Sequence, residues 1–304
     1  MNYLAQVFSV KHDWWRYLVG LNIILFFWQF LGAIPLMTVI YNKLGIQMAG
    51  LDQSEMLSVL ESNTSLFLVM LMFVFGLLGV FVAVKSIHKQ SILSLTTARS
   101  KVDWSRVFFA FSVWGVISIL FVLVGYFLVP EEFIWNFKWD KFLILFIISV
   151  FMIPLQTSFE EYLFRGYLMQ GIAGMTNSKI IPLLMTSIVF GLLHFANPEV
   201  EKLGPITMFF YIGTGLLLGV MTLMDDGLEL ALGFHAANNL FTALLVSADW
   251  TALKTESILI DISEPTAGFD IFLPVIVLYP IVLFVFAKKY NWSDWKGKLI
   301  AKVE

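Results

Sequence analysis

Three ionisable side chains interrupt an apolar stretch near the middle of the chain, where residues 158–166 read SFEEYLFRG. Two further apolar segments each carry one histidine, His194 in FGLLH and His235 in HAANN. Charged and imidazole groups are costly at membrane depth, so they normally face a partner or a water-filled cavity. We therefore expect the three segments to converge on one site.

Helical spacing divides the roles of these residues. Each residue of an α-helix advances about 100° around the axis, so Glu161 and Arg165 share one face and can form an ion pair. Glu160 points about 100° away from Glu161 and is free to meet another neighbour. His235 and Asn239 are also four residues apart, so both can reach one cavity. One glutamate is thus predicted to be structural and the other available for chemistry.

A glutamate in an apolar site suits general-base chemistry, because there it can take a proton from water near neutral pH. Simpler explanations exist for each feature: carboxylates in headgroup water, histidines that only pack, and an asparagine that joins two helices. However, His12 and His88 lie in charged flanks, and the other two histidines lie in apolar segments. One shared site explains these residues better than separate coincidences do.

Other hydrolase signatures are absent from the sequence. There is no H-E-x-x-H zinc helix, no G-x-S-x-G serine elbow and no Walker-type phosphate loop. The chain has no cysteine, which excludes disulfides, a thiolate nucleophile and thiolate metal ligands.

Composition indicates a polytopic membrane protein. Of the 304 residues, 59% are hydrophobic and 13% are charged, and the mean hydropathy is +0.84, whereas soluble domains average about 25% charged residues. The net charge of −3 gives no electrostatic case for a nucleic-acid partner. We expect an all-α polytopic membrane helical bundle with about eight transmembrane helices. The predicted spans are about 17–41, 65–84, 107–129, 142–171, 180–196, 206–224, 227–248 and 271–287, with a kink at Pro154 in the fourth.

These spans divide into three predicted regions: 1–141 with three spans, a catalytic core at 142–248 with four, and 249–304 with an outer loop, the last span and a basic tail. If the N-terminus lies in the cytoplasm, alternation leaves five of the 19 Lys and Arg residues outside and 14 inside. This bias predicts an integral protein of the cytoplasmic membrane with both termini inside. Alternation of the spans also places Glu160 near the cytoplasmic end of the fourth span and His194 near the outer end of the fifth. The two residues can meet only if the fourth helix carries Glu160 into the membrane and the fifth holds His194 at mid-depth.

The motifs E-E-x-x-x-R from Glu160, F-x-x-x-H ending at His194 and H-x-x-x-N from His235 occur in this order. Together they resemble the three motifs of the CPBP intramembrane protease family. That family includes the type II CAAX prenyl endopeptidases and bacterial proteins linked to bacteriocin self-immunity (the Abi group). The resemblance covers about residues 142–248, roughly a third of the chain.

The resemblance implies a role for each matched position. Glu160, together with His194, would activate the hydrolytic water, and His235 with Asn239 would stabilise the oxyanion. Two donors on one helix face agree with that second role. The remaining motif positions are Glu161 and Arg165, which we expect to form an orienting ion pair. Asn238 adjoins the matched asparagine, and a contribution from it stays open.

Cofactor use stays open at this stage. Glu160, His194 and His235 could ligate one divalent metal such as zinc, with water in the open position, whereas the resemblance equally allows a glutamate protease without metal. The expected function is endopeptidase cleavage of a peptide or protein substrate in or near the lipid bilayer. The alternatives are a transporter or proton relay that uses the intramembrane Glu and His, and a non-catalytic scaffold of the bacteriocin-immunity type.

Overall fold

The computed structural model describes residues 2–248, 250–251 and 254–303. Its principal helices are α1 Trp14–Gly50, α2 Ser62–His88, α3 Trp104–Leu128, α4 Trp139–Thr176, α5 Ile180–Leu193, α6 Pro205–Asp225, α7 Glu229–Leu245 and α8 Tyr279–Tyr290. Shorter helical segments are Leu4–Ser9, Gln53–Ser58, Ile92–Thr96, Pro130–Glu132, Pro198–Leu203, Phe269–Ile271, Pro274–Leu278 and Trp295–Leu299.

Helices α1, α2, α3, α4 and α6 are long and apolar enough to cross a membrane. Helix α5 is a shorter apolar helix of 14 residues. The chain is an integral membrane protein, and the predicted all-α polytopic bundle is confirmed. A helix occurs at each of the eight predicted places, whereas the number of complete crossings stays a prediction.

A small sheet at one end of the bundle was not predicted. Its strands are β1 Phe133–Trp135, β2 Val246–Ala248 and β3 Leu259–Asp261, in the order β1-β3-β2. Strand β3 is antiparallel to β1 and parallel to β2. The predicted seventh span ran to residue 248, but α7 ends earlier because its last three predicted residues pair with β3.

Loops predicted to be cytoplasmic meet at the opposite end. Thr97 pairs with Gly227, and Ser178 pairs with Lys302, through isolated backbone bridges. The loops after α2, α4 and α6 therefore lie together with the segment that follows α8. This agrees with alternating helices, while the side of the membrane on which this end lies stays a prediction.

Unequal helix lengths remove the conflict over depth. With 38 residues, α4 is about 57 Å long at 1.5 Å per residue, nearly twice the hydrocarbon thickness of about 30 Å. With 14 residues, α5 is only about 21 Å long. Helix α4 can therefore carry Glu160 far from its end, and α5 is shorter than the hydrocarbon layer, so His194 at its end can lie within that layer.

Close packing of α7 against α3 positions the third motif. A Cβ atom on Gly233 would lie 2.0 Å from the carbonyl oxygen of Val107, so only glycine permits this approach. Helix α7 also packs against α4, and His235 lies two residues after Gly233. The α3–α7 contact thus fixes the height at which His235 meets α4.

Candidate active site

A buried ion pair forms one side of the site. The Nη1 group of Arg165 donates to Oε1 of Glu161 at 3.0 Å, and its Nη2 group donates to the carbonyl oxygen of Gly215 on α6 at 3.1 Å. Both charged side chains are fully buried. They lie at the end of the α-helical part of α4 and in the π-helical turn Tyr162–Leu168. The ion pair predicted from the i,i+4 spacing is confirmed.

The same glutamate orients a histidine from another helix. The Nδ1–H group of His235 donates to Oε1 of Glu161 at 2.7 Å. The opposite ring nitrogen, Nε2, lies 3.5 Å from Oε2 of Glu160. His235 therefore lies between two carboxylates, and the proton on Nδ1 directs Nε2 toward the second one.

Glu160 is the more accessible of the two glutamates. Its side chain is 13% exposed, whereas that of Glu161 is 0% exposed. Its Oε1 atom accepts a hydrogen bond from Nε2 of Gln156 at 2.7 Å, one helical turn earlier. The division between one structural and one available glutamate thus matches the burial of the two side chains.

An amide chain extends the network toward α3. The Nδ2 group of Asn239 donates to Oε1 of Gln156 at 3.0 Å, and Nδ2 of Asn238 donates to Oδ1 of Asn239 at 3.1 Å. The indole N–H of Trp114 donates to Oδ1 of Asn238 at 3.0 Å. The amides of Gln156 and Asn239 therefore fix each other's orientation, and Asn238 has an orienting contact of its own.

His194 lies beside this network. Its Nδ1–H group donates to the carbonyl oxygen of Phe190 at 2.8 Å, so in the neutral ring Nε2 carries the lone pair. The ring stacks on Tyr211 with centroids 4.4 Å apart. The rings of His194 and His235 both contact Phe190, at centroid distances of 4.8 and 6.0 Å. In the described ranges, no direct hydrogen bond or ion pair joins His194 to either glutamate.

Two polar atoms of the ion pair have unused hydrogen-bonding capacity. Oε2 of Glu161 and Nε of Arg165 are buried without a hydrogen-bond partner. The Arg165 guanidinium lies 4.5 Å from the ring centroid of Phe190, which adds a cation–π contact. Buried groups in proteins are normally satisfied, so these two atoms are an unusual feature of the ion pair.

The residues fit a metal poorly. Across residues 2–248, 250–251 and 254–303, no three His, Asp or Glu side chains are placed to hold one metal ion. Of the predicted ligands, Glu160 and His235 adjoin each other, whereas no hydrogen bond or ion pair among the described residues joins His194 to either of them. The described residues therefore provide no complete zinc ligand set.

Three contact residues were missed at the sequence level. Gln156 had a usable signal, since it is a polar side chain in an apolar helix, four residues before Glu160. Trp114 and Tyr211 had no such signal, because their contacts are made between different helices and follow no helical spacing.

Comparisons with known proteins agree with the motif resemblance. Residues 138–241 match the family described as type II CAAX prenyl endopeptidase Rce1-like. The chain is also 26% identical over 248 residues to the uncharacterized protein YyaK of Bacillus subtilis (strain 168), covering 81% of this chain and 83% of that relative. No solved structure matches the chain.

The resemblance to type II CAAX prenyl endopeptidases is therefore confirmed over the segment that carries the three motifs. Every residue of the network except Trp114 lies inside it.

Proposed function

We propose that the protein is an intramembrane endopeptidase that hydrolyses a peptide bond with a water molecule activated by Glu160. The observation that carries the proposal is the pairing of Glu160 with His235, whose Oε2 and Nε2 atoms lie 3.5 Å apart. The pair is held by Gln156 and Glu161 on its two sides, within a segment that matches a protease family.

The first step is attack on the scissile carbonyl. Glu160 takes a proton from water while the water oxygen bonds to the carbonyl carbon, which becomes tetrahedral and carries an oxyanion. His194 assists the water through Nε2, the nitrogen that its backbone contact leaves unprotonated in the neutral ring. When the C–N bond breaks, the leaving amine receives the proton from Glu160.

His235 and Asn239 are the proposed oxyanion donors. The Asn239 amide uses one N–H bond on Gln156, which leaves its second N–H for substrate. Donation from Nε2 of His235 requires the imidazolium, because Nδ1–H is already directed at Glu161. Such donors contribute about 3–4 kcal/mol each in enzymes studied by mutation.

The finer assignments extend this proposal. Residues 142–248 form the catalytic core, the protein lies in the cytoplasmic membrane, and both termini face the cytoplasm. The substrate is a peptide or protein segment at the bilayer. A prenylated C-terminal peptide is one substrate class to test, because the matched family is described by its prenyl substrates.

The test is cleavage of a quenched fluorescent peptide library, farnesylated and unmodified, by purified protein in detergent. Wild type is compared with Glu160→Gln and with Glu131→Gln, the same chemical change at an exposed glutamate outside the network. We expect cleavage by wild type and Glu131→Gln, and its loss in Glu160→Gln.

If Glu160→Gln cleaves peptide at the wild-type rate, the proposal is wrong. If wild type cleaves no peptide, the transporter or scaffold alternative gains support, and proton uptake into proteoliposomes separates these two. A parallel arm with a chelator tests metal use. Activity that survives chelation supports metal-independent hydrolysis, whereas activity lost reversibly requires ligands beyond those that the described residues bring together.

A further inference from the structure

A groove of about 680 Å³ lies where the chain leaves α8, far from the network around Glu160 in sequence. One part is apolar and includes Leu283 and Phe284, and the other includes Lys288, Asn291 and Trp295. The groove therefore changes from apolar to basic along its length.

Local backbone geometry makes this groove. Asn291 and Asp294 have positive φ angles of 54° and 51°, a conformation that Asn and Asp tolerate better than most residues. The Trp292 N–H group donates to the carbonyl oxygen of Ala287 at 3.0 Å, which closes the end of α8. The chain thus reverses and brings Trp295 back beside α8.

The floor of the groove is tied to the rest of the bundle. The indole N–H of Trp292 donates to Oδ1 of Asp225, at the end of α6, at 3.2 Å. Its ring also contacts Trp295, with centroids 6.0 Å apart. The groove is therefore supported by two helices and is already formed without a ligand.

The basic part has an excess of positive charge. Residues 288–303 contain five lysines and one aspartate, a net charge of 5 − 1 = +4. Lys298 forms an ion pair with Asp226. Among the described residues, Lys288, Lys289 and Lys296 form no ion pair with a carboxylate.

The apolar part adjoins exposed apolar side chains of α8. Ile281 and Phe284, two turns and one turn before Lys288, are 50% and 63% exposed. The Lys288 ammonium lies 5.7 Å from the ring centroid of Phe284. Trp295 is 40% exposed, as is typical of aromatic side chains at the membrane interface.

We propose that this groove binds an anionic phospholipid, with its phosphate beside Lys288 and an acyl chain along Leu283 and Phe284. The basic end matches the charge of the headgroup, and the apolar wall continues into the exposed apolar side of α8. A soluble phosphate compound would use only the basic end. Basic pockets near the cytoplasmic surface are suited to such headgroups. The inference does not depend on the proteolytic function.

The test uses the full chain, delipidated in detergent, with phosphatidylglycerol or phosphatidylcholine added. Native mass spectrometry counts the lipid molecules retained, and a titration gives their apparent affinities. We expect wild type to retain one phosphatidylglycerol in preference to phosphatidylcholine. Removing one lysine charge with Lys288→Gln should weaken phosphatidylglycerol binding about fivefold.

Lys85→Gln is the matched control, because Lys85 is an exposed lysine at the same end of the bundle but outside the groove. Equal weakening in both variants would show a diffuse surface charge and overturn the proposal, as would unchanged binding in Lys288→Gln. Ala287→Phe fills the groove while keeping every charge, and should reduce retention of phosphatidylglycerol. Displacement by inorganic phosphate alone would identify a phosphate site and also overturn it.

Discussion

Two ionic clusters lie in the bundle, and they differ in how completely their polar atoms are bonded. The end cluster consists of Arg99, Arg106, Asp225 and Glu229, near the junction of α6 and α7. The site cluster consists of Glu160, Glu161, Arg165 and His235. Each has two carboxylates, and those of Glu161 and Glu229 are fully buried.

Every carboxylate oxygen of the end cluster accepts a hydrogen bond. Both oxygens of Asp225 receive an arginine donor, one from Arg99 at 3.0 Å and one from Arg106. The two oxygens of Glu229 also accept hydrogen bonds. One comes from Nη1 of Arg99 at 3.2 Å and the other from the backbone N–H of Asp103 at 3.3 Å. This cluster joins three segments of chain and leaves no carboxylate oxygen without a donor.

The site cluster is less complete. Glu161 and Arg165 each retain a buried atom without a partner, and Nε2 of His235 approaches Glu160 at 3.5 Å without forming a hydrogen bond. The comparison indicates that burial of charge alone does not identify a functional site. Among the described residues, the site cluster differs in combining unpartnered buried atoms with a partly accessible carboxylate.

The sharpest test of this contrast is Glu160→Gln. Gln keeps the size of the side chain but cannot take a proton from water, so we expect peptidase turnover to fall by about 10²–10⁴-fold. The melting temperature should change little, because the side chain is partly exposed and forms only one strong hydrogen bond. Turnover and thermal unfolding are measured on the same preparation; large unfolding with unchanged turnover would reverse the comparison.

Glu229→Gln is expected to show the opposite pattern. It removes a fully buried charge and leaves Arg99 with fewer compensating oxygens, so we expect a loss of up to about 3 kcal/mol in unfolding free energy. The estimate is at the low end of the range for buried pairs, because the Arg99 side chain is 27% exposed. The check is thermal unfolding in detergent, with turnover expressed per folded molecule. A selective loss of turnover at unchanged stability would place the end cluster in the catalytic machinery.

Gln156→Leu separates orientation from charge within the site. The change removes the donor to Glu160 and the acceptor for Asn239 while leaving every charge in place. A hydrogen bond to a charged group contributes about 1.5–3 kcal/mol, so kcat should fall about tenfold or more. The decrease should appear in kcat rather than in KM.

Gln156→Glu is the contrasting variant, because it keeps the acceptor for Asn239 but replaces the donor to Glu160 with a carboxylate. If both variants cleave as wild type does, Gln156 only fills space.

Sequence reasoning succeeded where the deciding contacts are local. The Glu161–Arg165 pair follows from their spacing on one helix, and the apolar runs that form α1 to α4 exceed the length needed for a crossing. It failed where remote segments decide. Strand β2 replaces the predicted last turn of α7 because residues 246–248 pair with Leu259–Asp261. The sequence of residues 227–248 contains no signal that would predict this pairing.

The depth of Glu160 and His194 in the membrane could not be predicted from local sequence either. Simple alternation of the predicted spans placed Glu160 and His194 at opposite ends, whereas α4 continues through the π-helical turn Tyr162–Leu168 and α5 ends at Leu193. The three-region division and the individual catalytic roles stay predictions, since contacts alone do not measure chemistry.

Tyr211→Leu should give the smallest effect of the series and tests whether His194 belongs to the site. The Tyr211 ring stacks on His194 with an interplanar angle of 20°, and such aromatic pairs contribute about 0.5–1.5 kcal/mol. We expect a two- to tenfold lower kcat, because a less constrained imidazole assists the water less often. Tyr211→Phe keeps the ring and loses only the hydroxyl contacts with Glu199 and Asn197, so it should retain most of the activity. If Leu and Phe reduce kcat equally, the hydroxyl matters and the stack does not. If neither changes it, His194 acts outside the reaction and only the network around Glu160 performs it.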